Sequence, residues 1–442
     1  MGFQDISLIF NLSIMNKVNN SLKQYLILPI LIVIFSNCGN TNSANNNTIK
    51  KDNIADTVVV KKEIIVAAEK TQEYLPLLEN NLTTDRHVNI AVVANQSSLI
   101  KNTHLVDSLL ASGLNILKIF SPEHGFRGNA DAGEHVGNYT DEKTGLPVIS
   151  LYGNNKKPTI DNLDGIDFVI FDIQDVGVRF FTYISTMHYV MEACAELSLP
   201  LLILDRPNPN GYYVDGPVLD TAYSSFIGMH AVPVVHGMTI GEYAKMINGE
   251  GWLKNNVKCE LTVISCDNYN HNMRYNLPVK PSPNLPNARS IELYPSLCFF
   301  EGTNLSLGRG TNMQFQVIGH PDLKEKGEEG FSYIPEANEG SKYPKLKGKT
   351  CYGFDFRTKE EVFENEDKLI NINYLLYTYE LFPDKKKFFL KNNLFEKLAG
   401  NNSFKQQIID GKTDEEIRAT WQEDLDKFKN IRKKYLLYKD FE

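Results

Sequence analysis

The sequence lacks the short motifs by which several large enzyme classes are recognised. It has no GxGxxG after its first apolar run, no HExxH and no GxSxG. These absences argue against a dinucleotide-binding enzyme, a zinc protease of that type and an ordinary α/β-hydrolase. Gly348-Lys349-Thr350 and Gly411-Lys412-Thr413 match the end of a phosphate-binding loop, but Tyr343 and Gln406 stand where such a loop needs its first glycine. A P-loop enzyme is therefore disfavoured as well.

The chain is also short of positive charge and of paired cysteines. It has 46 Lys and Arg against 54 Asp and Glu, so the net charge is −8 and no general nucleic-acid binder is expected. A local basic pocket for an anionic ligand stays compatible with this balance. No CxxC is present, which disfavours a zinc cluster, and we expect neither a metal nor another cofactor. Buried free thiols are predicted for the five cysteines after residue 100, which are Cys194, Cys259, Cys266, Cys298 and Cys351.

The N-terminus has the order of segments that is typical of a secretion signal. Lys17 and Lys23 precede the apolar run Tyr25–Phe35, which is too short to span a membrane comfortably. Cys38 follows the run almost directly, as in the lipobox of bacterial lipoproteins. We therefore predict a signal peptide over 1–38, with lipidation at Cys38. This predicts an exported protein of the periplasm or outer membrane, which contacts the membrane only through its lipid anchor.

Apolar, strand-like runs alternate with helical segments in the first half of the chain. The runs are nearly continuous, as in strands of a parallel sheet that is covered on both faces. A helix with apolar residues at three- and four-residue spacing is predicted over Ile184–Leu197. We predict strands at Val88–Ala94, Ile116–Phe120, Pro147–Leu151, Phe168–Phe171 and Leu201–Leu204. Residues 71–236 are therefore predicted to form a Rossmann-like α/β domain with a mostly parallel sheet.

The regions on either side of this domain differ in composition. The stretch 39–70 begins with many Asn, Thr and Ser residues and is predicted to be a disordered tether. After residue 237 we expect a helix at Ile240–Asn248, then a proline-rich stretch at 281–287 that cannot be a central strand. We predict that residues 237–442 form a second, smaller α+β domain that closes a cleft over the first.

Polar residues follow four of the predicted strands at their carboxyl ends. In an open parallel sheet, ligands bind outside these ends, so the four clusters point to one crevice. Carboxylates there can act as acid and base at an acetal carbon, and amides beside Tyr183 suit a sugar. A tight turn is expected to aim Glu123 outward. The clusters are Asn95-Gln96-Ser97-Ser98, Ser121-Pro122-Glu123-His124-Gly125, Asp172-Ile173-Gln174-Asp175 and Asp205-Arg206-Pro207-Asn208-Pro209.

Three arginines are candidates for binding an anionic group of the ligand. Arg127 and Arg179 lie close in sequence to the polar clusters, and Arg309 lies between two glycines that let the backbone approach a ligand. An arginine fork matches a carboxylate with two hydrogen bonds. We therefore predict that one or more of them recognises a carboxylate.

Seven longer sequence segments indicate the family to which this chain is similar. Together they resemble the exo-β-N-acetylmuramidases of the NamZ type over roughly residues 75–442. The strings are SPEHGFRG (121–128), TGLPVISLYG (144–153), DIQDVGVRFFTYISTM (172–187), LDRPNPNG (204–211), HGMTIGEYA (236–244), PSPNLPN (281–287) and EGTNLSLGRGT (301–311). The resemblance implies a Rossmann-like domain and a smaller C-terminal domain with the active site between them. It further implies release of N-acetylmuramic acid from the non-reducing ends of peptidoglycan fragments, disaccharide or muropeptide, without a cofactor.

The resemblance also implies site residues. Glu123 is expected to be catalytic, and we predict Asp175 as its partner, with Asp172 and Glu301 as the next candidates. The residues predicted to bind substrate are His124, Arg127, Asp172, Gln174, Arg179, Tyr183, Asp205, Arg206, Asn208, Asn284, Glu301 and Arg309.

Two other functions stay open on the sequence. A non-catalytic lipoprotein that binds the cell wall would keep the aromatic and arginine residues but would tolerate loss of Glu123. A transferase that uses a nucleotide or phosphate on the same fold would need a phosphate loop, for which the sequence has no complete candidate.

Overall fold

The computed structural model describes residues 62–79, 87–128, 137–358 and 370–442. The predicted signal peptide, Cys38 and the first part of the predicted tether lie outside the described residues. Among the described residues, no helix is long and apolar enough to cross a membrane.

Twelve strands and eleven α-helices form the described part of the chain. The strands are β1 (Asn89–Ala94), β2 (Leu99–Ile100), β3 (Thr103–His104), β4 (Asn115–Ser121), β5 (Tyr139–Thr140), β6 (Pro147–Ser150), β7 (Phe168–Asp172), β8 (Leu201–Leu204), β9 (Leu261–Ile264), β10 (Val317–His320), β11 (Ser332–Tyr333) and β12 (Cys351–Asp355). The helices are α1 (Thr71–Glu79), α2 (Leu105–Ala111), α3 (Ile160–Leu163), α4 (Tyr183–Leu197), α5 (Ile240–Gly249), α6 (Ala288–Leu297), α7 (Asn373–Leu381), α8 (Leu394–Ala399), α9 (Ser403–Ile409), α10 (Asp414–Ala419) and α11 (Gln422–Arg432). Short 3₁₀ turns lie at Ala67–Glu69, Thr221–Tyr223, Lys254–Asn256, Cys298–Gly302, Pro321–Leu323 and Lys385–Lys387.

A seven-stranded sheet in the order β5-β6-β4-β1-β7-β8-β9 is the centre of the fold. All neighbours pair in parallel except β5, which runs antiparallel to β6 at the edge. Numbered in chain order, the six parallel strands follow the order 3-2-1-4-5-6 of the doubly wound Rossmann arrangement. The prediction of a mostly parallel α/β sheet is confirmed.

Both faces of this sheet are buried, which explains its continuous apolar runs. Along β1, Ile90 and Val92 pack into one apolar cluster, whereas Ala91 and Val93 pack into another on the opposite face. This alternation follows from the two-residue repeat of a strand. The core thus places the carboxyl ends of β1, β4, β7 and β8 at one edge, as the sequence predicts.

The strands and helices predicted in the first half of the chain are confirmed, with bounds that differ by a residue or two. The last strand of the sheet was missed, because β9 (LTVI) contains the exposed Thr262 and lies partly buried at the sheet edge, so it is not a continuous apolar run. β9 lies after residue 237, where we placed a domain boundary, so the sheet itself continues past that point. The assignment of 237–442 to a second domain stays a prediction.

The predicted tether is wrong at its C-terminal end. Ile65 pairs with Asp267 through two backbone hydrogen bonds of 3.1 and 2.9 Å, and Val66, Ala67 and Ala68 are buried. Lys70 Nζ donates to Asp267 Oδ1 at 2.9 Å. The segment has enough apolar surface to join the body, because the Asn-rich composition ends well before it.

The C-terminal part combines a small antiparallel sheet, β10-β12-β11, with helices α7 to α11. Helix α10 begins at Asp414, and the hydroxyl of Thr413 caps it by accepting from the backbone N–H of Glu416. All five cysteines of the described chain are buried and free, which confirms the prediction for them.

Candidate active site

The turn after β4 places Glu123 at the carboxyl edge of the sheet. The N–H of Gly125 donates to the carbonyl of Pro122 at 3.1 Å, and His124 and Gly125 both have positive φ, at 73° and 75°. A non-glycine residue rarely adopts this conformation. His124 is fixed there by a contact of 3.2 Å between its Nε2 and the hydroxyl of Ser282. The predicted tight turn is confirmed.

Two hydroxyl groups hold the carboxylate of Glu123. Thr182 Oγ1 donates to Glu123 Oε2 at 3.2 Å. Tyr152 also makes a side-chain hydrogen bond to this carboxylate, and burial together with the charge of Glu123 raises the pKa of the tyrosine. Glu123 is therefore oriented by donors from two different loops, as an acid or base catalyst must be.

Glu123 lines a pocket built from both halves of the chain. The pocket encloses about 70 Å³ and opens to solvent, so it would hold the reacting part of a ligand and leave the remainder outside. Its lining combines one carboxylate, one guanidinium, an amide, hydroxyls and aromatic rings. The lining residues are Glu123, His124, Phe180, Phe181, Thr182, Tyr183, Ser282, Asn284, Leu285, Tyr294, Arg309 and Phe315.

Arg309 brings positive charge to the pocket. Its Nε donates to Glu301 Oε1 at 2.6 Å, and its guanidinium lies 4.9 Å from the centre of the Phe315 ring. Lys345 Nζ donates to the carbonyl of Thr303 at 2.6 Å. Burial alone would raise the pKa of Glu301, but the charges of Arg309 and Lys345 outweigh it and lower that pKa. Around Glu301, two cations face one carboxylate, so this side of the pocket suits an anionic group.

Asn284 adds an acceptor to the pocket. Its Nδ2 donates to the carbonyl of Gly340 at 2.8 Å, which fixes the side-chain amide. Its Oδ1 is buried and has no hydrogen-bond partner among the described residues. A buried carbonyl oxygen without a donor costs free energy, so this atom favours a ligand that presents an N–H or O–H group.

The structure does not bring Asp175 to the surface of this pocket. The residue is 5% exposed, and its Oδ2 accepts from the N–H of Gly177 at 2.6 Å. Burial raises the pKa of Asp175 to about 7, against weaker opposing hydrogen bonds from the backbone. His236 Nε2 lies 4.0 Å from the same oxygen, and burial lowers the pKa of this histidine to about 3. Asp175 is thus a buried carboxyl group with a raised pKa that does not belong to the pocket lining.

Replacing Asp175 with Asn should change the pH dependence of stability. Because the folded pKa of about 7 exceeds the unfolded value of 3.8, the folded chain binds more protons between these two pH values. The contribution of Asp175 to the free energy of unfolding is therefore full below pH 4 and is lost as the pH rises to 7. Asn does not titrate, so the Asp175→Asn variant does not lose this contribution. From pH 4 to pH 8, its free energy of unfolding should rise by roughly 2–4 kcal/mol relative to that of wild type, as measured by urea unfolding. An equal difference at both pH values would contradict this account.

A buried ion pair accounts for two of the predicted binding residues. Arg206 donates to Asp172 through Nε at 2.5 Å and through Nη2 at 2.9 Å, and the side chains are 3% and 0% exposed. Arg206 Nη2 also donates to the carbonyl of Leu99. With every strong contact made inside the protein, the pair fixes the loop after β7. Neither residue lines the pocket, and their contact with substrate stays a prediction.

Three further polar residues of the strand ends hold loops together. Asp205 accepts from Thr239 Oγ1, the N–H of Gly241 and Tyr438 Oη. Gln174 and Asn208 are each about as buried as Asp205 and donate to backbone carbonyls of neighbouring loops. None of the three lines the pocket, and their contact with substrate stays a prediction.

Two of the three candidate arginines make their hydrogen bonds to other parts of the protein, outside the pocket. Arg179 is fully buried, and its two Nη atoms donate to four backbone carbonyls at 2.7–2.8 Å, those of Pro217, Val232, Leu398 and Ala399. Arg127 makes a two-bond contact with Asp141 at 3.1 and 2.9 Å. Only Arg309 lies in the pocket, and Glu301 acts as its partner outside the lining.

Several residues that line the pocket, or that contact its lining residues, were not predicted. Thr182 and Phe181 lie within the string that contains Tyr183, and Tyr152 lies within TGLPVISLYG, so the strings carried a signal for them. Tyr294 and Lys345 have no comparable signal, because they come from elements distant in sequence. Among the described residues, no three His, Cys, Asp or Glu side chains cluster closely enough to hold a metal ion.

Comparison with known proteins gives consistent matches along the chain. The profile described as exo-β-N-acetylmuramidase NamZ, N-terminal, matches residues 90–289, and the corresponding C-terminal profile matches 292–438. A curated Bacillus subtilis (strain 168) protein, peptidoglycan β-N-acetylmuramidase NamZ, is 40% identical in an alignment of 363 residues that covers 77% of this chain and 86% of the relative.

Two crystal structures of DUF1343 family proteins from Bacteroides fragilis NCTC 9343 are also similar. The first is 44% identical with a TM-score of 0.77 and covers 86% of this chain and 100% of its own. The second is 28% identical with a TM-score of 0.70 and covers 85% of this chain and 99% of its own.

Proposed function

Because the chain belongs to the NamZ family of exo-β-N-acetylmuramidases, we propose that it is a glycoside hydrolase that releases N-acetylmuramic acid from the non-reducing ends of peptidoglycan fragments. The observation that carries the proposal is the presence of Glu123 and Arg309 in one pocket. The first supplies an oriented carboxylate for glycosidic chemistry, and the second supplies a cation for the lactyl carboxylate of the sugar. The comparisons support neither a binding lipoprotein without activity nor a nucleotide-using transferase.

Glu123 acts as general acid in the first step of the proposed reaction. Its carboxyl proton passes to the glycosidic oxygen as the bond from that oxygen to C1 breaks. The carbonyl oxygen of the sugar's own acetamido group attacks C1 and closes an oxazolinium ring. Water then attacks C1, gives its proton to Glu123 and reopens the ring. The released sugar keeps the β configuration, and Glu123 regains its proton.

The lining of the pocket supports this route. Among the described residues, Glu123 is the one carboxylate in the lining, since Asp175 and Asp172 are held inside the protein. A retaining enzyme with a protein nucleophile would need a second carboxyl group about 5 Å away. The free Oδ1 of Asn284 can accept from the acetamido N–H and so orient the attacking oxygen.

Turnover of a chromogenic β-glycoside of N-acetylmuramic acid by the full-length chain tests the proposal. Proton NMR of the fresh product reports hydrolysis and its stereochemistry in one experiment. We expect the β anomer to appear first. The α anomer as first product would rule out the acetamido route, and no turnover would rule out the hydrolase.

Arg309→Gln should reduce the preference for the lactyl carboxylate. The Nη atoms of Arg309 have no hydrogen bond among the described residues, so they are available to the ligand. Losing a hydrogen bond to a charged group costs about 1.5–3 kcal/mol, or roughly 10- to 100-fold. We expect kcat/KM to fall by this factor for the N-acetylmuramic acid glycoside, and much less for the N-acetylglucosamine glycoside, which lacks the carboxylate. Arg357→Gln, at an arginine paired with Asp355, is the control. An equal loss on both glycosides would contradict this role.

Export and anchoring at Cys38 are part of the proposal. They are supported by the charged, apolar and small-residue order before Cys38 and by a substrate that lies outside the cytoplasm. Cells that express the chain with a labelled fatty acid should incorporate label into wild type but not into Cys38→Ala. Label retained in the variant would contradict lipidation at this residue.

A further inference from the structure

A second cavity lies apart from the Glu123 pocket. It encloses about 270 Å³, and three chain segments meet around it: the loop after β8, the stretch 274–277 and the first turns of α6. No residue lines both cavities. Its lining residues are Pro209, Asn210, Tyr212, Arg274, Tyr275, Asn276, Leu277, Ala288, Ile291 and Glu292.

Glu292 is a buried carboxylate whose contacts are incomplete. Its side chain is 11% exposed, and its Oε2 has no hydrogen-bond partner among the described residues. Arg274 Nη1 lies 3.5 Å from Oε1, and Arg289 Nη1 lies 3.5 Å from Oε2. Good charge-assisted hydrogen bonds are about 2.7–2.9 Å long, so both contacts are loose. Burial raises the pKa of Glu292 to about 7, although both arginines oppose the shift.

Arg274 lies at the same cavity and has N–H groups available for further hydrogen bonds. Its guanidinium carbon lies 3.5 Å from the centre of the Tyr212 ring, and its side chain is 53% exposed. Stacking on the ring fixes the plane of the guanidinium and leaves its N–H groups at the edge of that plane. It makes a side-chain hydrogen bond with Tyr212, and its contact with Glu292 is long, at 3.5 Å.

We propose that this cavity binds the α-amino-acid zwitterion, with the ligand's ammonium on Glu292 and its carboxylate on Arg274. Such a ligand presents both charges on one carbon and can replace one loose ion pair of 3.5 Å with two shorter ones. The side chain of the ligand would lie against Leu277 and Ile291, the apolar part of the lining. A ligand with a single charge would form a short ion pair with either Glu292 or Arg274. It would leave the other residue without a hydrogen bond of good length.

Two kinds of molecule carry an α-amino-acid zwitterion. One is a free amino acid. The other is the free end of a diamino acid within the peptide of a peptidoglycan fragment, and only this source depends on the proposed function. The cavity is large enough for either.

Calorimetry with the full-length chain tests the site directly. L-alanine and D-alanine are the probes, and propionate and ethylamine are matched ligands that lack the ammonium or the carboxylate. We expect at least one alanine enantiomer to bind, and each single-charge analogue to bind at least tenfold more weakly. Absence of alanine binding, or equal binding of propionate or ethylamine, would overturn the proposal.

Two variants connect the binding to the residues. Glu292→Gln keeps the shape of the side chain, and Arg274→Gln alters a half-exposed one, so at least the second should fold as wild type does. Each should weaken alanine binding at least tenfold. The control variants are Glu423→Gln, on the exposed face of α11, and Arg357→Gln, and neither should change it. Unchanged binding in Arg274→Gln would overturn the assignment.

A muramyl tripeptide ending in a diamino acid distinguishes the two sources. Tighter binding than alanine, lost in Arg274→Gln, identifies the peptide as the ligand. Weaker binding than alanine identifies a free amino acid. Since the readout is binding, the result does not depend on whether the chain hydrolyses the glycoside.

Discussion

Glu123→Gln is expected to lower kcat/KM for the N-acetylmuramic acid glycoside by about 10³-fold, because general acid–base catalysis contributes roughly 10²–10⁴-fold. The amide oxygen of the variant can still accept from Thr182 and Tyr152, so the side chain keeps its place but has no proton to give. KM should change little, since the pocket keeps its shape. Initial rates of wild type and variant at saturating and limiting substrate measure both constants.

Glu260→Gln is the matched control, because Glu260 is exposed and precedes β9, outside the pocket lining. It should retain the activity of wild type. A Glu123→Gln variant with more than about a tenth of wild-type kcat/KM would remove Glu123 from the chemical step, given the size of this catalytic effect. Such a result would leave the carboxylate with a role in binding alone.

Arg179→Met is expected to lower the free energy of unfolding by about 3–5 kcal/mol, because each buried carbonyl that loses its donor costs roughly 1–3 kcal/mol. The variant would leave four buried carbonyls, now at 2.7–2.8 Å from the guanidinium, without donors. Two of these belong to Leu398 and Ala399 at the end of α8, so the arginine ties this helix to the loop region of Pro217 and Val232. Urea unfolding at one pH gives the difference.

Arg357→Met tests whether any arginine would produce this loss. Arg357 is half-exposed, and its ion pair among the described residues is with the nearby Asp355, so its replacement should change stability by no more than about 0.5 kcal/mol. If Arg179→Met instead kept its stability and raised KM, the arginine would belong to the substrate site. Such an outcome would restore the interpretation that the sequence first suggested.

The sequence predicts where this site lies better than it predicts which side chains form it. Parallel strands end at one edge, and the apolar runs are long enough to locate those ends. Glu123, His124 and Tyr183 were found in this way and line the pocket. Asp172 and Arg206 lie at the same edge, yet they pair with each other. The local sequence shows that polar side chains are present at this edge. It does not show which of them form hydrogen bonds or ion pairs with one another.

Residues that complete the pocket from the second half of the chain have weaker signals. Arg309 was identified from its flanking glycines and Asn284 through a family segment, since no periodicity precedes either residue. Lys345 contributes positive charge, and it is held in place by a hydrogen bond to the carbonyl of Thr303, 42 residues away in sequence. Tyr294 lies on α6, where an aromatic residue is equally typical of an apolar core. Such long-range contacts depend on the packed fold rather than on any local pattern.

The exo mode with Glu123 as catalyst is the central claim, and a defined glycan tests it most directly. The substrate is a tetrasaccharide with N-acetylmuramic acid at its non-reducing end and a reduced sugar at the other. Mass spectrometry of early time points should show free N-acetylmuramic acid and the matching trisaccharide from wild type, and neither from Glu123→Gln. Disaccharides as first products, or equal release by the variant, would contradict the claim.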